Sequence, residues 1–339
     1  MLNTTNLFAK TTVSDYLDDV LSDTLKSMRV SGSVLLREAY AAPWGVAIPS
    51  SNRLAALFGV RAEVRVVAFH LVESGYCEIR LENGDAAVIE AGEMAVCFSG
   101  IAHQITQGAN PQILPVETLL AGGENTKRPA VTGRARGASL LCGAFLLHDT
   151  FLNPLFAALP PLLHTCVSQP GEFHNLFGVA RLMAQEVDHK PLGGGYIVER
   201  LLEVLCAEAI RAHIAATPLQ DRGWLSGIKD PVVGRAVAAI HAQPGESWSV
   251  ARLAQGVAMS PSRFAARFAA TLGSGPMLYV AQWRMNVACR LLAGTGQSIG
   301  LIATAVGYES QAAFNRAFKK HVGVAPVAWR TSAQRGFNC

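Results

Sequence analysis

The carboxy-terminal third of the chain contains two diverged copies of one sequence pattern. The first copy begins at Ser249 and the second at Ser298, an offset of 49 positions. After a short break in each copy the offset becomes 50, so that Phe264 aligns with Phe314. A one-residue insertion in the turn between two short helices explains this change. Each copy is therefore predicted to form a helix-turn-helix. Two such units on one chain can enter two major grooves on one face of a DNA duplex.

The charge distribution agrees with a nucleic-acid partner for this end of the chain. The chain has 339 residues, of which half are hydrophobic and 16% are charged. This length and composition allow about two or three domains with large buried cores. From Gly227 onward, 12 basic and three acidic residues give a balance of +9, whereas the rest carries −5. A basic end joined to an acidic body is expected when only the end meets phosphates.

Neither a membrane span nor an export signal is predicted. No apolar run reaches the roughly 18 residues that a membrane span requires. The amino terminus also lacks a basic stretch followed by an apolar core. The seven cysteines include no CxxC pair, and this pattern argues against both a zinc motif and a secreted disulfide framework. The sequence therefore predicts a protein of the reducing cytoplasm.

The middle of the chain is predicted to be rich in β-strands. A short amphipathic helix is expected over residues 14–29, and short β-rich segments broken by glycine follow from residue 32 to about 148. Cys77, Ile79 and Leu81 alternate with charged residues, which is typical of a strand with one buried face. Many short strands with regular turns predict a sandwich or a barrel.

Helices are predicted to connect this region to the repeats. A helical segment is predicted over residues 151–163, and helices are expected over 173–187 and 196–215. A linker over 217–229 follows. The 196–215 helix has an apolar stripe that packs either against its own domain or against a second copy in a dimer. The stripe consists of Ile197, Leu201, Val204, Leu205, Ala212 and Ala215.

The repeats contain the candidate DNA contacts. A first helix is expected over residues 231–242, and a helix over about 276–292 would hold the two units near the ~34 Å of one DNA turn. Ser249 and Ser298 are predicted N-caps, placed to anchor phosphates. Arginine prefers guanine edges, and glutamine or asparagine pairs with adenine. The predicted reading positions are Ser262, Arg263, Ala265 and Ala266 in the first copy and Gln311, Asn315 and Arg316 in the second.

The second copy resembles the signature of the AraC/XylS family of bacterial transcription regulators. The similarity is carried by Ile299–Phe314, by Phe318-Lys319 and by Gly323, Pro326 and Trp329-Arg330, and it extends over about residues 228–333. The resemblance implies two helix-turn-helix subdomains joined by a rigid helix, with the reading positions given above. Ala265 and Ala266 depart from the longer polar side chains often found there. Readout by the first unit is therefore expected to be weak or to rest on thymine methyl groups.

The β-rich region resembles cupins. Residues 92–103 are similar to the second cupin motif, with Phe98 in the proline position, and residues 69–75 are similar to the strand of the first motif. Only His70, Glu73 and His103 match metal ligands loosely, and the usual paired histidines are absent. No metal and no other cofactor is expected, because a site built from two histidines is weak without further ligands.

A second similarity, over residues 42–164, is to the cupin-type sensor domain found ahead of this DNA-binding module. It implies a β-barrel that senses a signal and aids dimerisation, without naming a ligand. The pocket lining is predicted to include Trp44, His70, Arg80 and His103.

Taken together, these patterns predict an α+β protein with a cupin-like β-barrel, flanking helices and an all-α double helix-turn-helix domain. The predicted domains are a sensor at 1–170, a dimerisation and linker region at 171–226, and a DNA-binding domain at 227–339. The predicted function is a non-enzymatic transcription regulator. Its expected partners are double-stranded DNA, RNA polymerase, a second copy of the chain and an unknown small-molecule or redox effector.

Two alternatives remain open at this level. One is a cupin metalloenzyme, such as a dioxygenase or isomerase, fused to DNA-binding helices. The other is a regulator whose switch is cysteine oxidation, with Cys77, Cys97, Cys142 and Cys166 as the candidates.

Overall fold

The computed structural model describes Phe8 and residues 13–60, 64–121, 137–148, 152–166, 175–189, 191–216 and 223–335. The chain divides into two compact units. The sheet unit contains Arg29–His148 and Leu159–Thr217. The helical unit contains Met1–Met28, Asp149–Ala158 and Pro218–Cys339.

The sheet unit is built from two five-stranded sheets. The first, sheet A, has the order β1-β9-β3-β6-β10, and the second, sheet B, has the order β5-β4-β7-β2-β8. All neighbouring strands are antiparallel except β2 and β8. The strands are β1 (Arg29–Ala41), β2 (Trp44–Ile48), β3 (Arg65–Ser74), β4 (Tyr76–Leu81), β5 (Ala86–Glu90), β6 (Glu93–Val96), β7 (His103–Gln107), β8 (Ile113–Pro115), β9 (Gly137–His148) and β10 (Leu163–Cys166).

The two sheets pack face to face around one apolar core. Val66, Ala68 and Val72 of β3 contribute to this core from sheet A, and Ile79 and Ile105 contribute from sheet B. Strand β4 alternates between buried and more exposed residues, because its outer face meets solvent. Strand β3 is buried along most of its length on both faces, as expected for a strand covered on both sides.

Two helices of the sheet unit, α5 (Asn175–His189) and α6 (Gly194–Ala216), pack against each other, and α6 also packs on β1. Gly32 allows this close approach, because an added Cβ would lie 2.5 Å from the Ala144 carbonyl oxygen and 3.3 Å from the Leu202 side chain. The shorter helices α2 (Ser51–Leu57) and α3 (Val116–Leu120) complete the unit.

The helical unit contains α1 (Val13–Lys26), α4 (Pro154–Ala158) and the helices of the carboxy-terminal region. These are α7 (Trp224–Lys229), α8 (Val233–Ala242), α9 (Val250–Gly256), α10 (Pro261–Leu272), α11 (Pro276–Gly294), α12 (Ile299–Ala305), α13 (Gln311–Val322) and α14 (Pro326–Arg335). The pairs α9–α10 and α12–α13 are the two predicted helix-turn-helix units. Helices α10 and α13 both end at a left-handed glycine, Gly273 and Gly323, the usual way to stop a helix.

The structure confirms the α+β architecture and corrects several details. Within the described residues the strands form two hydrogen-bonded sheets and not one closed barrel. The predicted linker contains α7, and the segment expected to be helical around Leu163 instead begins β10. The apolar stripe predicted on α6 is only partly buried, since Ile197 and Val204 are exposed whereas Leu205 and Ala212 are buried.

The packing units cut across the predicted domain boundaries. Residues 13–28 and 152–158 lie within the predicted sensor at 1–170 but pack in the helical unit. Helices α5 and α6, expected to form a separate region at 171–226, pack in the sheet unit.

Candidate nucleic-acid interface and sensor site

The first candidate reading helix, α10, has one buried and one open face. Phe264 and Phe268 are fully buried on the inner face. On the outer face Ser262, Arg263 and Ala266 are exposed, whereas Ala265 is half-buried. The short, apolar character of this face follows from its alanines, and its only long polar side chain near the helix start is that of Arg263.

The second candidate reading helix, α13, repeats this arrangement with longer polar side chains. Phe314 and Phe318 are fully buried, and Gln311 and Arg316 are exposed. Asn315 is half-buried, and its Oδ1 has no hydrogen-bond partner within the described structure. The predicted reading residues of both copies therefore lie on the solvent side of their helices or at its edge.

The arginines of the reading helices differ in what they bind. Arg267 of α10 donates through Nη2 to Asp230 Oδ2 at 2.7 Å, and Asp230 in turn caps α8 by accepting from the Val233 amide at 2.9 Å. Arg263 and Arg316 form no hydrogen bond or ion pair with any residue that the structure describes. Because an unpaired, exposed guanidinium is available for a base edge or a phosphate, these two arginines are candidates for DNA contact.

Serine hydroxyl groups cap helices of both helix-turn-helix units. Ser249 Oγ accepts from the Arg252 amide and Ser298 Oγ from the Leu301 amide, both at 3.2 Å. A third cap, which the sequence analysis missed, is Ser310 at the start of α13, whose Oγ accepts from the Ala313 amide at 3.2 Å. The signal was present, since serine directly before a helical pattern is a preferred N-cap.

The sheet unit encloses an apolar cavity between its two sheets. Its volume is about 30 Å³, and its walls are mostly aliphatic residues of β1, β2, β3 and β9, with Trp44 and His70 among them. The indole N–H of Trp44 is already used, because it donates to Gln107 Oε1 at 2.8 Å. The cavity therefore offers little open hydrogen-bonding capacity, and burying an unpaired polar group there is costly.

His70 and His103 lie side by side in the core. Their Nε2 atoms are 2.9 Å apart, and His70 Nδ1 is 3.2 Å from Cys142 Sγ. Burial lowers the pKa of His103 to about 4. The pKa of His70 lies well below its usual value, first because of burial and second because of electrostatic repulsion from His103. Both rings are therefore neutral at physiological pH. Arg80 does not join this group, since it is exposed and pairs with Glu78 on the outer face of sheet B.

The possible metal ligands differ from those that the cupin resemblance implied. His70 and Glu73 are three positions apart on β3, and strand alternation places them on opposite faces. Glu73 accepts from Arg37 Nε at 2.9 Å and from Ser139 Oγ at 3.0 Å, away from the histidines. Cys97 is instead the third donor, because the ligand atoms of His70, Cys97 and His103 all lie within 4.8 Å of one another.

Comparisons with known proteins agree with both halves of this description. A cupin family model matches residues 19–215, and a helix-turn-helix domain model matches residues 253–332. A putative AraC-like transcription regulator of Streptomyces lividans is 31% identical over 266 residues, which cover 78% of this chain and 87% of that protein. The chain belongs to the AraC-like transcription regulators. It is a DNA-binding regulator with a cupin region ahead of its helix-turn-helix domain.

The chain is also similar to other transcription regulators. The transcriptional regulator AlkR of Acinetobacter baylyi is 29% identical over 281 residues, covering 80% of this chain and 90% of that protein. The DNA-binding domain of AdpA, solved in complex with a target DNA, is 29% identical with a TM-score of 0.30, and the match covers 30% of this chain and 95% of that one. Among the helices that the structure describes, none has the length and apolar character needed to cross a membrane.

Proposed function

We propose that this AraC-like regulator reads its DNA target chiefly through Arg316 and Arg263, one on each reading helix. The observation that carries this proposal is that both guanidinium groups are exposed and unpaired within the described structure, whereas Arg267 on the same helix as Arg263 is bound to Asp230. Guanine, with its N7 and O6 acceptors in the major groove, is the base that arginine matches best.

The remaining predicted contacts take supporting roles. Gln311 and Asn315 offer amide groups suited to adenine, and Ser262 offers a hydroxyl. Ala266 presents a methyl group that fits a thymine methyl, so the first unit is expected to contribute less specificity than the second. Ser249 and Ser298 lie at helix starts, where backbone amides and a hydroxyl suit phosphate contacts that fix register.

The apolar cavity of the sheet unit is proposed as the sensing site. Trp44 and His70 line it. His103 is not part of the lining, but its Nε2 lies 2.9 Å from His70 Nε2. The walls favour a small apolar effector, which would enlarge this cavity of about 30 Å³ on binding and would act by changing the relative populations of two conformations. A cysteine-oxidation switch is less well supported, because burial raises the pKa of Cys77 and of Cys97 to about 12 and keeps both thiols protonated.

A homodimer is proposed on the outer face of α5 and α6. Leu182, Tyr196, Ile197 and Val204 are between 43% and 66% exposed there. A second copy of the chain is the proposed occupant, because two-fold pairing of such helices would bury these side chains and place two DNA-binding units on one operator.

The role of a transcription regulator also leads us to propose contact with RNA polymerase and action in the cytoplasm, without catalysis.

Selection of genomic fragments by the purified full chain tests this function. Fragments retained at moderate salt against random competitor would define an operator, and failure to retain any would contradict the proposal. On that operator, Arg263→Ala is expected to weaken binding and relax the preference at one base pair. The matched control is Arg267→Ala on the same helix, which is expected to leave base preference unchanged because its side chain faces Asp230.

A further inference from the structure

We infer that His70, Cys97 and His103 form a binding site for one transition-metal ion of the zinc type. The three side chains come from separate parts of the sheet unit: β3, the turn after β6, and β7. All three are buried, and their donor atoms lie within 4.8 Å of one another. This inference goes beyond the proposed function, since metal binding can be measured without DNA.

The hydrogen bonds around the two imidazoles orient them toward a shared ion. His103 Nδ1 is 3.3 Å from the carbonyl oxygen of Ile101. A carbonyl only accepts, so this nitrogen carries the proton and His103 Nε2 presents a lone pair. His70 Nε2 lies 2.9 Å away and donates to that lone pair in the structure.

Metal binding requires a change of tautomer at His70. Its proton would move to Nδ1, where Cys142 Sγ, at 3.2 Å, can accept it. Each ring would then present Nε2 to the ion while its Nδ1–H is held by an outer partner, the arrangement common to histidine ligands of metals. In a tetrahedral zinc site each ligand nitrogen lies about 2.0–2.1 Å from the ion. Two such nitrogens are somewhat further apart than the 2.9 Å that separates His70 Nε2 from His103 Nε2, so the two rings must separate slightly.

The donor set selects the class of metal. Two imidazoles and one thiolate suit zinc and similar borderline or soft ions, whereas magnesium, calcium and manganese prefer carboxylate oxygens. Glu73, the nearest acidic candidate on β3, is bound to Arg37 and Ser139. Binding would release the thiol proton of Cys97 to solvent, and three protein ligands leave a fourth position for water or an effector group.

Cobalt titration of the full chain tests the site. The protein is purified with a reductant, stripped with a chelator and titrated with Co²⁺. The expected result is one Co²⁺ per chain, with a near-ultraviolet thiolate-to-cobalt band that Zn²⁺ abolishes. Cys97→Ser should remove the band, and the matched control Cys77→Ser, at another buried cysteine, should retain it.

Two results would overturn the inference. The first is that folded wild-type protein shows no thiolate-to-cobalt band. The second is that the band persists unchanged in Cys97→Ser. If that variant does not fold, X-ray absorption of the zinc-loaded wild-type chain decides the question, because the site requires one sulfur and two imidazole ligands.

A second inference rests on different contacts, inside the helical unit. We propose that Phe8 and α1 are positioning elements of the first reading unit. Tyr16 of α1 is almost fully buried, and its ring fills the space at Gly234 of α8, where an added Cβ would lie 2.4 Å from Tyr16 Cε2. Asn153 joins α1 to the segment before α4 by donating to the Thr24 carbonyl at 3.1 Å and Ser27 Oγ at 2.9 Å.

Phe8 contacts the first helix of the first reading unit directly. Its ring lies so close to Gly256 of α9 that an added Cβ would be 2.3 Å from it. Arg235 Nη2 donates to the Phe8 carbonyl at 2.7 Å, and the Phe8 ring meets Trp248 edge-on, with centroids 6.4 Å apart. The second copy has alanine, Ala305, at the position equivalent to Gly256, so this cleared space is specific to the first unit.

Phe8 and α1 leave the reading face of α10 open, because Ser262, Arg263 and Ala266 remain exposed. These two elements therefore support the first unit and do not block it. Gly256→Ala tests this sharply, since alanine favours helix formation but would displace the Phe8 ring. The matched control is Gly294→Ala at the end of α11, where an added Cβ meets nothing within 4 Å.

Footprinting on the selected operator measures the protection of each half-site. For this readout the inference rests on the proposed function. Phe8→Ala and Gly256→Ala are expected to weaken protection of the half-site bound by the first unit about tenfold, the equivalent of about 1.4 kcal/mol, with the second half-site unchanged. Phe8→Leu should restore part of the loss. Equal weakening at both half-sites, or no change at either, would overturn the inference.

Hydrogen exchange separates this inference from the proposed function. Amides of α9 in the DNA-free full chain should exchange faster in Phe8→Ala than in wild type, whereas those of α12 should not change. If wild type fails to select any operator but α9 responds in this way, the proposed function fails and the positioning contact stands. An unchanged α9 removes the positioning contact, whatever DNA is bound.

Discussion

The imidazole of His241 lies flat on the indole of Trp283, with ring centroids 3.5 Å apart and planes within 3° of parallel. His241 Nε2 accepts from the Tyr279 hydroxyl at 2.9 Å, and the Tyr279 oxygen accepts from the Trp224 indole N–H at 2.9 Å. This chain of donors requires a neutral His241. Burial accordingly lowers the pKa of His241 to about 3.

The first prediction concerns acid stability of the helical unit. In the unfolded chain a histidine titrates near 6.5, so the unfolded state binds a proton below that pH while folded His241 does not. Its contribution to the free energy of unfolding is therefore complete above pH ~6.5 and is lost progressively toward pH ~3. The loss is about 2 kcal/mol at pH 5. Urea unfolding at pH 5 and 7.5, followed by tryptophan fluorescence, measures this loss. His241→Phe keeps a ring for stacking and should show a shallower decline; an identical decline would contradict the assignment.

The second prediction concerns Arg316. Replacing it with alanine should weaken specific binding by about 1–3 kcal/mol and relax the preference at one base pair, because an unpaired guanidinium on the reading face is lost. Competition binding against operators varied one base pair at a time measures both effects. Lys320→Ala in the last turn of α13 is the control and should affect all sequences alike. Uniform weakening by Arg316→Ala would count against a base contact.

The third prediction uses two serines at equivalent positions. Ser310→Ala should destabilise the protein by about 1 kcal/mol, because the Ala313 amide loses its side-chain acceptor. Ser260→Ala should have a smaller effect, since the Ser260 side chain forms no capping hydrogen bond within the described structure. Urea unfolding of both variants gives the comparison, and equal losses would show that the cap does not stabilise α13.

The fourth prediction concerns Asn153, which is buried and forms three hydrogen bonds with residues of the helical unit. Asn153→Ala should lower the free energy of unfolding by about 2–3 kcal/mol, because buried groups lose their partners. Asn83→Ala, at an exposed hairpin turn, should cost about 0.5 kcal/mol or less. A small loss at Asn153 would mean that water replaces its contacts.

Part of the candidate site was predictable because its signals are local. Phe264 and Phe268 recur at helical spacing, and Gly273 and Gly323 adopt the left-handed conformation that stops α10 and α13. The alternation of side chains along a strand is also a local signal. It places His70 and Glu73 on opposite faces of β3, although the loose match to a cupin motif had grouped them as possible ligands of one metal.

Other residues gave no such signal. Cys97 approaches His70 because β6 pairs with β3 in sheet A, and it approaches His103 because β7 belongs to sheet B, which packs on sheet A. Phe8 and α1 would be assigned to the sensor by chain order, yet Gly234 and Gly256 provide the space into which Tyr16 and Phe8 pack. Glycines at helix positions do not reveal which distant ring they accommodate.

The amino-acid sequence by itself determined the two reading units, since helical periodicity, caps and terminal glycines act over a few residues along the chain. The tertiary structure decided which side chains are available to act. It binds Arg267 to Asp230, leaves Arg263 and Arg316 open and gathers His70, Cys97 and His103 in one core. These outcomes depend on contacts between residues far apart in the chain, and local periodicity carries no information about such partners.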